Sequence, residues 1–310
     1  MNKQSFNEFF RNISEIDSFK RVDVAHILDL YLGLDQRSRY TLFLNSKVKA
    51  EDIISSKLID VVIGKRKDTH WGISFSLLDN NYADIFFAFC DDIIESSRNV
   101  KNKDLGTAFI CERYNEWQKM LSKNPTGLLS NSEIKGLIGE LFFLKEILIN
   151  KYGEEIAINS WIGPEMADQD FVCPNEWYEI KATVSGAEQI KISSIEQLDV
   201  NTTGYLVIVY LDKTSKADNK KISLNSIVND LLLSLTKKGQ EKLKEILFKH
   251  GYIKRDEYEE IIFKFSKIEY YIVNNNFPSI KRKNIPNAVI EVTYDLSIHA
   301  INLFFREGIQ

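Results

Sequence analysis

The segment SNSEIKGLIGELFFLKEILINKYG, residues 130–153, constrains the fold more than any other stretch of this chain. Ser130 and Glu133 fit the S-x-x-E capping box, in which each side chain satisfies a free amide at the start of a helix. Lys151 near the end and Gly153 just past it supply a C-terminal stop. The body between them is apolar almost all round, the pattern of a helix packed on a sheet within a core. Glu140 breaks that pattern, because an unpaired carboxylate inside Leu137-Ile138-Gly139-Glu140-Leu141-Phe142-Phe143 is costly to bury. Gly136 lies four residues earlier on the same face, a place for close backbone approach. Each of these two glycines costs a helix about 1 kcal/mol relative to alanine, so something must compensate.

The chain has 310 residues, about two domains' worth. With 44% hydrophobic and 27% charged residues and 5 Pro, it is globular and not disordered. No apolar run reaches the ~18 residues of a membrane span. The opening MNKQSFNEFFRNISEID carries acids and no apolar stretch, so it does not read as a signal peptide. Cys90, Cys111 and Cys173 are scattered, odd in number and without CxxC spacing, which points to buried thiols in a reducing compartment. A soluble, cytoplasmic protein is expected. The net charge of −4 argues against a protein that coats nucleic acid non-specifically. Its distribution is uneven: residues 200–310 carry 17 Lys/Arg against 13 Asp/Glu, with a cluster at Lys281-Arg282-Lys283. Such runs are usually a solvated surface.

Pattern changes divide the chain into 1–124, 125–212 and 213–310. In the first part, helical spacing in VDVAHILDLYLGL predicts an N-terminal helical region ending at Gly33. TLFLN, IDVVIG, HWGISFSLLD and DIFFAFC then read as short strands of an antiparallel sheet, and AFICERYNEWQKML as a helix. This makes an α+β, β-rich domain. In the second part, DFVCPNEWYEIKATV reads as a hairpin, SSIEQLD as a Ser-capped helix, and YLVIVYL as a strand covered on both faces. The third part is helical to Lys249 and strand-like in EIIFKFSKIEYYIV and AVIEVTYDLSI, an α/β extension.

Alternation in WYEIKATV puts Tyr178, Ile180 and Ala182 on one face and Glu179, Lys181 and Thr183 on the other. A loop centred on Pro174-Asn175 sets Asp170 opposite Glu179; one residue's difference would set it opposite Ile180. Glu140, Asp170, Glu179 and Lys181 thereby converge. Carboxylates so gathered raise one another's pKa unless a cation neutralises them, and hard oxygen ligands with room for water suit Mg²⁺. A metal that activates water, with a lysine beside it, is equipment for phosphodiester hydrolysis. The other chemistries lack their motifs. His26, His70, His250 and His299 show no zinc spacing, and neither a GxxxxGK[ST] loop nor a GxSxG or Cys-His arrangement occurs. Trp71, Trp117, Trp161 and Trp177 read as core aromatics.

The order helix-Glu, strand-Asp, Glu-x-Lys resembles the PD-(D/E)XK nuclease superfamily, and more closely the bacterial PD-(D/E)XK motif protein family. NEWQKML, GLIGELFFL, WIGP, the D-F of QDFVC, YEIKAT, ISSIEQL, FPSI and VTYDLSI all look like that family's landmarks, as do HWGISFSLLD and FFAFCDDI. The resemblance implies an α/β, restriction-endonuclease-like αβββαβ core with a mixed sheet in residues 125–212. It implies a metal-dependent DNA endonuclease active in restriction or anti-phage defence. Asp170 and Glu179 would bind Mg²⁺, with Mn²⁺ as a substitute, and Lys181 would be the catalytic lysine. Glu140 would be the helix acid that orients metal-bound water, and Gln197 a polar residue beside the site. Gln169 stands where the superfamily pattern has proline, and Asp168 competes with Asp170 for the ligand role. The expected partners are DNA, a second copy of the chain, and a methyltransferase or ATPase encoded separately. The alternatives are a DNA-binding or scaffold subunit that needs a partner for cleavage, and an RNA- or structure-specific nuclease. The basic segment around Lys281 and Lys283 is the first candidate for DNA contact.

Overall fold

The computed structural model describes residue 9 and residues 15–50, 53–123, 127–163 and 168–308. The chain forms two compact units, residues 1–127 and 128–310. The expected boundary between residues 124 and 125 lies outside the described residues, as do residues 1–8 and 10–14 of the helical region expected to run to Gly33. The architecture is mixed α/β with more than one sheet. No described helix is long and apolar enough to cross a membrane.

The first unit is built on β1 (Ser18–Arg21), β2 (Asp29–Leu34), β3 (Tyr40–Ser46), β4 (Ile59–Lys65) and β5 (Trp71–Leu77). They pair antiparallel in the order β1-β2-β3-β5-β4. Helices α1 (Ala83–Ser96) and α2 (Lys103–Lys123) follow. Phe89 of α1 meets Phe75 of β5 and Trp117 of α2 in edge-to-face contacts. Two expectations are corrected here. DIFFAFC lies in helix α1 and is not a strand, and DLYLGL is strand β2 and not the end of a helix. A short apolar run fits either period, and the longer context decides. Phe86, Phe89, Cys90 and Ile93 are buried at helical spacing, whereas His26, Leu28, Leu30 and Leu32 are buried at every second position.

The second unit opens with α3 (Asn131–Phe143), whose N-terminus carries the full capping box between Ser130 and Glu133. A π-helical turn at Leu144–Leu148 continues it into α4 (Ile149–Tyr152), and Gly153, at φ 78°, ends it before α5 (Glu154–Asn159). Next come β6 (Phe171–Val172), β7 (Trp177–Thr183), β8 (Gln189–Ile192), β9 (Gly204–Lys213) and β10 (Lys221–Ser223). After α6 (Leu224–Ser234) and α7 (Lys237–Lys249) the chain adds β11 (Ile262–Val273), β12 (Tyr294–Ser297) and β13 (Phe305–Arg306). The main sheet is mixed, in the order β10-β11-β9-β7-β6, with β13 also on β11. β7 and β9 are parallel, and β8 pairs with β12 in a small separate ribbon. AVIEVTYDLSI is thus a strand over Tyr294–Ser297 alone.

Two cores flank this sheet. Val207, Val209 and Leu211 of β9 join Tyr178 and Ile180 of β7 against α3 and α6. Leu206, Ile208 and Tyr210 join Trp177 on the opposite face with Ile190, Ile192 and Leu296. Strand β9 is therefore buried on both sides, as its unbroken apolar run requires. β11, from residues beyond 213, pairs along the whole of β9, so the C-terminal segment helps to build the sheet that carries β7.

Gly139, and not Gly136, makes the close approach. A Cβ at Gly139 would lie 2.9 Å from Cβ of Ala182, whereas one at Gly136 would meet nothing within 4 Å. The same substitution should thus have opposite signs at the two positions. Gly139→Ala is expected to destabilise the fold by about 1–3 kcal/mol through overpacking. Gly136→Ala should stabilise it by about 0.5–1 kcal/mol through helix propensity alone. Urea unfolding of both variants checks this.

Candidate active site

The β6–β7 hairpin places the central acids. The N–H of Cys173 donates to the carbonyl of Glu176 over 2.8 Å, closing the loop at Pro174-Asn175. Phe171 then pairs with Tyr178 and Val172 with Trp177, which sets Asp170 level with Glu179. Oδ2 of Asp170 accepts the backbone N–H of Ile180 at 2.7 Å. Glu179, 1% exposed, points with Lys181 to the face opposite Tyr178 and Ile180. Nζ of Lys181 lies 2.7 Å from Oε1 of Glu179 and donates to Oε1 of Gln197 at 3.1 Å.

Gln197 sits in a single turn, Ser193–Asp199, where the sequence predicts a helix. Its Oε1 also accepts the Ser193 N–H at 2.9 Å, so local side-chain bonding competes with helix formation there. Nε2 of Gln169 donates to the carbonyl of Glu196 at 3.0 Å. Nζ of Lys281 donates to the carbonyl of Leu198 at 2.8 Å, and the Arg282 N–H donates to Asp199. Lys281 therefore fastens the turn that carries Gln197.

Glu140 reaches the same cluster from α3. Its Oε2 accepts the indole N–H of Trp161 at 2.8 Å and lies 3.7 Å from Nε2 of His250. The His250 ring packs on Trp161 with centroids 4.7 Å apart. His250 carries no sequence signal and lies far from the acids, while Trp161 stands in the WIGP landmark, which does not by itself point to Glu140. The one usable hint was chemical: a buried tryptophan N–H needs an acceptor. Asp168 is exposed, while Asp170 is half-buried within the hairpin.

The electrostatics follow from burial and crowding. Burial, then the charges of Asp170 and Glu179, push Glu140 well above the usual carboxylate range, against the Trp161 hydrogen bond. Burial raises Asp170, opposed by Lys181 and the Ile180 N–H. Burial, then the Asp170 charge, push Glu179 up to about 8. Burial works to lower Lys181, but Glu179 and Asp170 outweigh it, so its ammonium is held charged above the ordinary lysine range. His250 is pushed down to about 4 by burial.

Three acids share one lysine, and the imbalance shows at Glu179. Neither of its buried oxygens is in a well-formed hydrogen bond, although the Lys181 ammonium and the Asp170 backbone N–H lie near. Such hard, under-satisfied oxygens fit a divalent cation. Among the described residues no three His, Cys, Asp or Glu side chains form a cage for an ion.

The raised acid has a stability consequence. A carboxyl whose folded pKa lies above its unfolded value stabilises the fold below about pH 4.5, and the contribution is lost as pH rises through about 8. Without divalent ions, the melting temperature should therefore fall between pH 5 and pH 9. Glu179→Gln should show a shallower fall and melt higher than the wild type at pH 9. Thermal unfolding across that range, with chelator present, measures the difference.

Comparison with curated proteins and with solved structures gives no match. A family model described as "Putative PD-(D/E)XK family member, (DUF4420)" matches residues 6–299. That match spans both compact units and every residue of the acid cluster, and the chain accordingly belongs to this PD-(D/E)XK family.

Proposed function

We propose that the chain is a metal-dependent endonuclease that hydrolyses DNA phosphodiester bonds in restriction or anti-phage defence. The observation that carries the proposal is Glu179, a buried carboxylate with under-satisfied oxygens, in contact with Lys181 and beside Asp170. Family membership supports nuclease chemistry. On this view α3 and the sheet around β7 and β9 are the restriction-endonuclease-like αβββαβ core.

Asp170 and Glu179, with Glu140 behind them, would hold a divalent cation such as Mg²⁺, whose chemistry there is Lewis acidity toward water and a phosphate oxygen. Lys181 stays protonated and donates to a phosphate oxygen as negative charge grows on it. Gln197 fixes the rotamer of that lysine through its 3.1 Å bond. Glu140 orients the attacking water and can hold a proton at pH values where an exposed glutamate would not. One such site per chain cuts one strand, so a double-strand break calls for two copies related by a two-fold axis.

The test is cleavage of supercoiled plasmid and phage DNA, modified and unmodified, with Mg²⁺, Mn²⁺ or EDTA, comparing wild type with Lys181→Ala. Metal-dependent cutting by the wild type should fall by at least about 10²-fold in the variant, the scale of removing one transition-state donor. Equal cutting by both proteins would place the active site elsewhere. An RNA substrate run in parallel separates a ribonuclease, and DNA binding without cutting would indicate a subunit that needs a partner.

A further inference from the structure

The acids of the site are gripped by one short segment, Trp161-Ile162-Gly163, from three directions. The indole N–H of Trp161 donates to Oε2 of Glu140 at 2.8 Å. The N–H groups of Ile162 and Gly163 both donate to the backbone carbonyl of Asp170, at 3.0 and 3.2 Å. At Gly163 a side chain would crowd the same aspartate, because a Cβ there would lie 3.2 Å from Oδ1 and 3.3 Å from Cα of Asp170. The indole itself is held by two rings. It stacks on Phe171, the residue after Asp170, with centroids 5.9 Å apart and planes at 16°. His250, just past the end of α7, packs against it at 4.7 Å. Trp161 is 2% exposed and also bridges to Phe171 through its backbone.

We infer that Trp161 and Gly163 are positioning residues of the metal-binding acids: they fix Glu140 on α3 and Asp170 before β6 at one mutual setting. The inference rests on the metal-dependent reading of the site and adds to it. Two carboxylates brought together from separate elements repel each other unless positive charge lies between them. A fixed indole donor and a pinned Asp170 backbone hold them together before a cation arrives. Ligand-orienting partners of this kind typically change metal affinity or activity about 10–100-fold when removed.

The experiment is calorimetric titration of Mn²⁺ into wild type, Trp161→Phe and Gly163→Ala, together with cleavage rates against Mn²⁺ and against DNA concentration. Trp161→Phe keeps a stacking ring and deletes the donor, while Gly163→Ala keeps the indole and crowds Asp170. Both variants should bind Mn²⁺ about ten-fold more weakly, with melting temperatures close to wild type. Their half-saturating Mn²⁺ for cleavage should rise in step, the KM for DNA should stay unchanged, and excess Mn²⁺ should restore the rate. A folded Trp161→Phe and a folded Gly163→Ala that bind Mn²⁺ as the wild type does would overturn the inference alone. Should Trp161→Phe fail to fold, Gly163→Ala decides it. Wild-type protein that binds no Mn²⁺ would overturn the metal-dependent reading, and the inference with it.

Discussion

Everything at the site depends on one unfavourable act, the burial of Glu179 beside a second carboxylate. In water each acid would be solvated and nearly indifferent to the other. At 1% exposure, with Asp170 just before the adjacent strand, Glu179 can stay ionised only if positive charge lies close by. Lys181 supplies part of that charge at 2.7 Å, and it also answers to Asp170 and Glu140. The deficit leaves the cluster with more negative charge than its lysine can balance. The sheet, the capped helix and the turn around Gln197 are the scaffolding that keeps the acids from moving apart.

That scaffolding is unequal in its parts. β7 is anchored by parallel pairing with β9 on one side, but β6 on its other side is only two residues long. The short strand alone would hold Asp170 poorly. The carbonyl of Asp170 therefore receives two N–H bonds from the chain after Trp161, and its side chain receives the Ile180 N–H. On the far side of Lys181 the single turn Ser193–Asp199 has little regular structure, and Lys281, Ser279 and Arg282 tie it down by side-chain and backbone bonds. A basic residue that looks from its sequence neighbours like a nucleic-acid contact thus has work within the fold.

How much of this was legible beforehand depended on whether the deciding interaction was local. The capping box, the glycine stop and the hairpin register involve residues a few positions apart, and each follows from backbone bonding that the sequence spells out. The Glu-x-Lys pair follows from strand alternation. DIFFAFC and DLYLGL, of seven and six residues, misled because short, mostly apolar runs suit a buried strand and a buried helix equally. The glycine that approaches the sheet was assigned one turn too early, since helix phase relative to a sheet is settled by packing and not by the helix itself. Trp161 and His250, 21 residues and more than a hundred residues from Glu140, enter only through tertiary structure.

The pairing of β11 along the full length of β9 also bears on how the chain folds during synthesis. Phe263 pairs with Lys213 and Val273 with Gly204, so the partner of β9 leaves the ribosome about fifty residues after β9 itself. In that interval the β6–β7 hairpin, its lysine and all three acids already exist as chain, yet the largely apolar central strand has an open edge. Long-range pairing of this kind is slow to form, and an unpaired hydrophobic edge is a template for aggregation. A nascent or truncated chain would thus leave the acid cluster without its full sheet and be a good client for chaperones. The sheet under the acid cluster is therefore complete only when the late strand β11 has been added.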